Sequence, residues 1–142
     1  MFENILVAVD GSKHSDAAFD VAMDISQKYG SQVFVLHVFQ GGTGLGTLVR
    51  PGFEDDMRAI GQQILDSYEA KVKERRDSLQ KNVRMLLEMG DAAQKIMETA
   101  SKIKCDLVLI GSRGRGGFKE LLLGSVSHKV TNHASCPVLV VK

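Results

Sequence analysis

No apolar run in this chain approaches the roughly 18 residues that a bilayer-spanning helix requires. The first such run, Ile5-Leu6-Val7-Ala8-Val9, is too short for the core of a secretory signal, and Glu3 and Asn4 interrupt the segment before it. Charge of one sign is also missing. Lys and Arg number 18 against 17 Asp and Glu, a net charge of +1, so no broad field attracts nucleic acid or an acidic membrane. Acids and bases interleave, as in residues 71–77, the pattern of a solvated helix face. Cysteine is scarce. Cys105 and Cys136 have no metal-ligand spacing, and each adjoins an expected strand, where it reads as a small, buried, apolar residue. The four histidines, His14, His37, His128 and His133, include no helical i, i+4 pair for a metal. His37 falls in an expected strand and reads as a hydrogen-bonded core or rim residue. His128 lies near Ser125 and Ser127, but neither an orienting acid nor an oxyanion site accompanies them. The expectation is a cytoplasmic protein with no nucleic-acid or membrane partner. At 142 residues and 44% apolar content it should form one domain, residues 1–142, around an ordinary core.

The elements present alternate. Residues 5–9 form a continuous apolar run, as in a strand buried on both faces of a parallel sheet. Asp10-Gly11-Ser12 ends it, and Ser12 or Ser15 can cap the helix that follows. Ala18, Val21, Ala22, Ile25 and Tyr29 recur at helical spacing, and Gly30 is a suitable stop. A second strand covers 33–39. Residues 40–52 hold five glycines and Pro51, the one long loop, which reads either as a lid over a ligand or as a plain disordered connection. One long charged helix is expected over 54–81 and a short strand over 83–88. Asp91 begins another helix, with Gln94 three positions on as in a capping box. A strand at 107–110, a helix at 125–133 and a strand at 138–141 complete a β-α-β-α-β-α-β-α-β order. Such alternation predicts an α/β fold, a parallel sheet with helices on both faces and right-handed crossovers. Ligands of these sheets sit beyond the C-terminal strand ends, where strand order reverses. Strands one and four are the natural neighbours there, so Asp10 and Gly111 should face one crevice.

The most informative segment follows the fourth strand: Gly111-Ser112-Arg113-Gly114, nine residues, then Gly124-Ser125-Val126-Ser127. Glycines admit backbone N–H groups close to an anion. A helix N-terminus adds unpaired donors and partial positive charge. The serine hydroxyls and Arg113 extend the same chemistry. The segment is not a Walker A loop, and Gly114-Arg115-Gly116-Gly117-Phe118-Lys119 misses the final glycine of the dinucleotide fingerprint. Asp10 reads equally as a turn acid at the first helix and as a ligand-side carboxylate able to hold Mg²⁺ beside phosphates.

Gly111-x-x-Gly114, nine residues, then Gly124-Ser125 resembles the ATP-binding signature of the universal stress protein family. The opening 5–12 and the ending 136–141 are similar to that family's first and last strands. The resemblance spans the chain and is least specific at 40–53. It implies a five-stranded, Rossmann-like parallel sheet of order 3-2-1-4-5, and ATP as the ligand, with Mg²⁺. It further implies that Asp10 lies near the ribose or the metal. Val38 and the backbone around Val9 and Ile110 would line the adenine pocket. Gly111, Arg113 and Gly114 would approach ribose and phosphates, and Gly124, Ser125, Val126 and Ser127 would hold the phosphates. The final strand, Val138–Val141, is implied as a homodimer edge, and an unidentified protein partner remains open.

The leading expectation is therefore an ATP-binding regulatory protein of the stress response, a nucleotide-dependent switch. Hydrolysis should be slow or absent, because Arg113, Arg115 and Lys119 offer cations but no base is evident to position water. Two alternatives stay open: an ATPase or nucleotidyl-transfer enzyme, and a dimeric interaction module holding another adenine nucleotide.

Overall fold

A computed structural model of the chain describes residues 1–41, 50–114 and 123–142. The elements run β1 (Asn4–Ala8), α1 (Lys13–Tyr29), β2 (Gln32–Phe39), α2 (Phe53–Lys73), α3 (Asp77–Gln80), β3 (Val83–Met89), α4 (Ala92–Lys102), β4 (Leu107–Gly111), α5 (Ser125–His133) and β5 (Val138–Val141). The strands form one parallel sheet in the order β3-β2-β1-β4-β5. Ile5 pairs with Val33 on one side and Leu107 on the other, so β1 is the central strand. β1 and β4 are neighbours, and strand order reverses beside β1 as the alternation predicts.

Continuous apolar strands follow from helices on both faces. Alternate residues of each strand point to opposite sides. On one side Ile5, Val7, Val33, Val35, Leu107 and Leu109 pack with Ala18, Phe19 and Met23 of α1 and with Leu65, Tyr68 and Val72 of α2. On the other, Leu6, Leu36, Val108 and Ile110 pack with Ala93, Ile96 and Ala100 of α4 and Val130 of α5. Each fully buried large apolar side chain stabilises by about 1.5–3 kcal/mol.

Local signals set the helix ends. The Ser12 hydroxyl accepts from the Ser15 N–H at 3.2 Å and caps α1. Gly30 ends that helix at φ 72°, a left-handed conformation that glycine adopts without a Cβ penalty. Asp91 caps α4, accepting from the Gln94 N–H at 3.0 Å. The Gln94 side chain turns instead to Glu98, at 2.9 Å, so only half of the expected box forms.

The helix expected over 54–81 is broken. α2 ends at Lys73, and Arg76 is extended (φ −59°, ψ 143°) before the short α3. Leu79 explains the break. It is 6% exposed and joins Val72 in the same core. An unbroken helix would carry it about 10 Å beyond Val72 along the axis. The Gln80 amide donates to the Lys73 and Arg75 carbonyls at 3.2 and 2.7 Å, satisfying acceptors that the break exposes. Among the described residues no helix is long and apolar enough to cross a membrane.

Candidate functional site

A cavity of about 370 Å³ opens at the C-terminal ends of β1, β2 and β4. Its wall changes character along its length. Ala8, Leu36, Val38, Ile110 and, from α4, Ala92 and Ile96 make an apolar part. Asp10, Ser15, Arg113, Gly114, Gly124, Ser125 and Ser127 make a polar one. All eleven residues singled out from the sequence line this cavity: Val9, Asp10, Val38, Ile110, Gly111, Arg113, Gly114, Gly124, Ser125, Val126 and Ser127. The parallel sheet brings them together from four separate stretches of chain.

The turn after β1 is held by a hydrogen-bonded chain. Asp10 Oδ1 accepts from the Ser12 N–H at 2.9 Å, and the Asp10 N–H donates to Ser15 Oγ at 3.1 Å. Ser15 Oγ meets the Tyr68 hydroxyl at 2.8 Å, and that hydroxyl donates to Asp16 at 2.6 Å. Asp16 also pairs with Lys71 at 3.4 Å. Burial, with the Asp16 carboxylate beside it, pushes the Tyr68 phenol above its ordinary pKa. The Asp10 carboxylate thus takes part in its own turn, while Ser12 is the cap of α1. Both sequence readings of Asp10 remain compatible, because it also lines the cavity.

Asp10 is, among the described residues, the only carboxylate in the cavity wall. Among the described residues no group of three or more His, Cys, Asp and Glu is arranged to hold a metal ion. That donor set fits Mg²⁺, which takes one or two protein carboxylates and completes its shell with phosphates and water. It does not fit an all-protein metal cage.

The glycines serve different ends. A Cβ on Gly111 would lie 2.7 Å from the His14 carbonyl carbon, so this glycine lets α1 seat directly on β4. A Cβ on Gly114 would lie 2.7 Å from Asp10 Oδ2, so this one makes room for the carboxylate. Among the described residues the nearest atoms to a Cβ on Gly124 stand 3.5 Å away. Neither packing nor its backbone (φ −67°, ψ 167°) calls for glycine there.

At α5 the Gly124 N–H donates to the Ser112 carbonyl at 2.6 Å. The Ser127 hydroxyl donates to the same carbonyl at 2.9 Å, tying the strand-end turn to the helix. The proton of Ser127 is therefore engaged within the protein. Among the described residues nothing caps the N–H groups of Ser125, Val126 and Ser127, which begin the helix at the cavity wall.

Val9 is buried, and its backbone is engaged on both sides. Its N–H donates to Leu36 and its carbonyl accepts from His37 Nδ1 at 2.8 Å. A carbonyl only accepts, so His37 carries its proton on Nδ1. His37 is 8% exposed and packs against Gly61 of α2, the core residue expected of it.

The sequence reading did not place Ala8, Ser15, Leu36, Ala92 and Ile96 in the site. Asp91 carried the one available signal, since a cap directly after a strand end puts the first turn of the next helix on the cavity. Of the glycine-rich segment 41–46, read as a lid, residues 42–46 lie outside the described residues, as do the cations Arg115 and Lys119.

The universal stress protein family model matches residues 1–142. The chain belongs to the universal stress protein family. It is 33% identical to the universal stress protein YxiE of Bacillus subtilis over the whole of both chains. Among solved structures it is similar to the universal stress protein UspA of Lactobacillus plantarum, with a TM-score of 0.77, 23% identity and coverage of 99% of this chain and 98% of that one. It is also similar to a universal stress protein of Archaeoglobus fulgidus solved in complex with dAMP, with a TM-score of 0.71, 20% identity and full coverage of both chains. At these identities the structural likenesses establish the shared fold, a five-stranded parallel sheet with helices around it.

Proposed function

We propose that this universal stress protein binds ATP in the cavity and acts as a nucleotide-dependent regulatory switch of the stress response. One observation carries the reading: a single cavity joins an apolar part to a glycine and serine part ending at a helix N-terminus. An adenine base needs the first, and a phosphate chain needs the second. Mg²⁺ held by Asp10 would supply charge neutralisation beside the phosphates. The dAMP held by the Archaeoglobus fulgidus relative supports an adenine nucleotide as the ligand class.

Hydrolysis on this reading is slow or absent. Fast phosphoryl transfer requires a group that positions water. Among the described residues the one carboxylate of the cavity wall, Asp10, is engaged by the Ser12 N–H and faces Gly114. A homodimer forms through β5, an edge of the sheet whose Leu139 is exposed. Nucleotide occupancy then alters that surface and with it the affinity for a partner.

The test is mass spectrometry of small molecules released when the purified protein is denatured, followed by titration with Mg-ATP. ATP at near one per chain is the expected result. AMP or ADP in its place would redirect the assignment within the adenine nucleotides, and an empty cavity with a flat titration would overturn it.

A further inference from the structure

A second chemical feature lies at the opposite end of the sheet from the cavity. Cys105 precedes β4 and Cys136 precedes β5, and these two strands are parallel neighbours with Val108 opposite Val138. The pairing continues toward the strand starts, where the Val108 N–H donates to the Pro137 carbonyl at 3.0 Å. Carried back in register, Cys136 stands opposite Asp106, one residue from Cys105. If the strand geometry is continued to these residues, a spacing of about 4.8 Å and a rise of about 3.3 Å would put the two Cα atoms about 6 Å apart. Disulfides span about 4.4–6.8 Å between Cα atoms. Both side chains pack on the same core cluster, both are half-buried, and the Cys136 thiol lies close enough to Cys105 to help raise its pKa.

We infer that Cys105 and Cys136 are a reversible redox pair that closes to an intramolecular disulfide when the protein meets a peroxide. The environments of the two thiols set the order of events. Burial pushes the Cys105 thiol up to about 12, and its Sγ donates to the Leu107 carbonyl at 2.9 Å, so it stays protonated. Cys136 is the thiol that attacks. Its sulfur takes one peroxide oxygen, the O–O bond breaks, and the departing hydroxide leaves as water. The Cys105 sulfur then attacks the Cys136 sulfenic acid. The S–S bond forms, the S–O bond breaks, and hydroxide leaves with the Cys105 proton as a second water. Two thiols are oxidised and one peroxide is reduced. The link encloses β4, the segment after it and α5 in one covalent loop, and so ties an edge strand of the sheet to its neighbour.

The experiment treats the reduced full chain with hydrogen peroxide, then counts thiols and maps peptides under non-reducing conditions. Loss of both thiols is expected, with a mass lower by two hydrogens, a linked peptide pair containing Cys105 and Cys136 within one chain, and reversal by dithiothreitol. In Cys105→Ser, dimedone should trap a sulfenic acid on Cys136. Two thiols that still titrate after treatment would overturn the inference. So would stable sulfinic or sulfonic acids without a link, links only between chains, or a Cys136 that remains unreacted in Cys105→Ser.

Discussion

Replacing Gly111 and Gly124 by alanine, one at a time, separates a glycine that the fold needs from one that the ligand needs. At Gly111 the new methyl would stand 2.7, 2.8 and 2.9 Å from the His14 carbonyl carbon, Cβ and oxygen. Two of these atoms are backbone of the first turn of α1 and cannot rotate aside. Reaching ordinary contact moves α1 off β4 by roughly 0.5–1 Å, an overpacking strain of about 1–3 kcal/mol. For 142 residues the unfolding entropy is about 0.3 kcal/mol/K, so the melting temperature should fall by about 3–10 °C. At Gly124 the nearest atom among the described residues is 3.5 Å away and the backbone is one any residue adopts. Stability should stay within about 0.5 kcal/mol of the parent. Affinity for Mg-ATP should fall, because a methyl at the start of α5 holds a phosphate away from the backbone donors. Losing one hydrogen bond to a charged group costs about 1.5–3 kcal/mol, or about 10- to 150-fold in Kd. Differential scanning calorimetry and titration calorimetry on both variants measure the two effects. Gly111→Ala melting with the parent would refute the packing argument. Gly124→Ala binding Mg-ATP with unchanged affinity would refute the phosphate argument.

Other perturbations have equally definite outcomes. Tyr68→Phe removes the hydroxyl that joins Ser15 to Asp16 and should cost about 1–2 kcal/mol in a urea titration. Because the Tyr68 pKa is raised in the folded state, its contribution is complete below the ordinary value near 10 and is lost as pH rises above it. The parent should therefore lose up to about 1.4 kcal/mol per pH unit more than Tyr68→Phe in alkaline unfolding, and parallel profiles would contradict the buried phenol. Leu139 is 39% exposed on β5, so Leu139→Lys should leave the melting temperature nearly unchanged and convert a β5-mediated dimer to monomer in analytical ultracentrifugation. A dimer that persists would move the interface elsewhere. Asp91→Ala removes the α4 cap and should destabilise by about 1 kcal/mol by chemical denaturation.

The sheet was legible because parallel strands covered on both faces read as unbroken apolar runs, as at 5–9 and 107–110. Helix ends were legible where one residue decides them, as with Gly30 and Asp91. The break after α2 was not. Glu74, Arg75 and Arg76 are unremarkable helix residues, and the chain turns there because Leu79 has to reach the core. The cavity wall shows the same division. Glycines and serines at a strand end stand out as a motif, whereas Leu36 and Ile96 look like any other core residue until the fold leaves one side of them open. The two cysteines illustrate the limit: 31 positions apart in sequence, they become neighbours only through the pairing of β4 with β5.

The central pairing of β1 with β4 has a consequence for how the molecule comes to exist. Ile5 and Leu107 are adjacent in space but about a hundred residues apart along the chain, and closing so long a loop costs about 4 kcal/mol of chain entropy. β1 and β2 can meet early, with only α1 between them. The cavity cannot form until β4 and the start of α5 have been synthesised and docked. During translation, at about 5–20 residues per second, the chain therefore spends several seconds as a growing half-sheet with no cavity. Any ligand of the cavity acts only on the finished molecule, slowing its unfolding and leaving the earliest steps of its folding untouched.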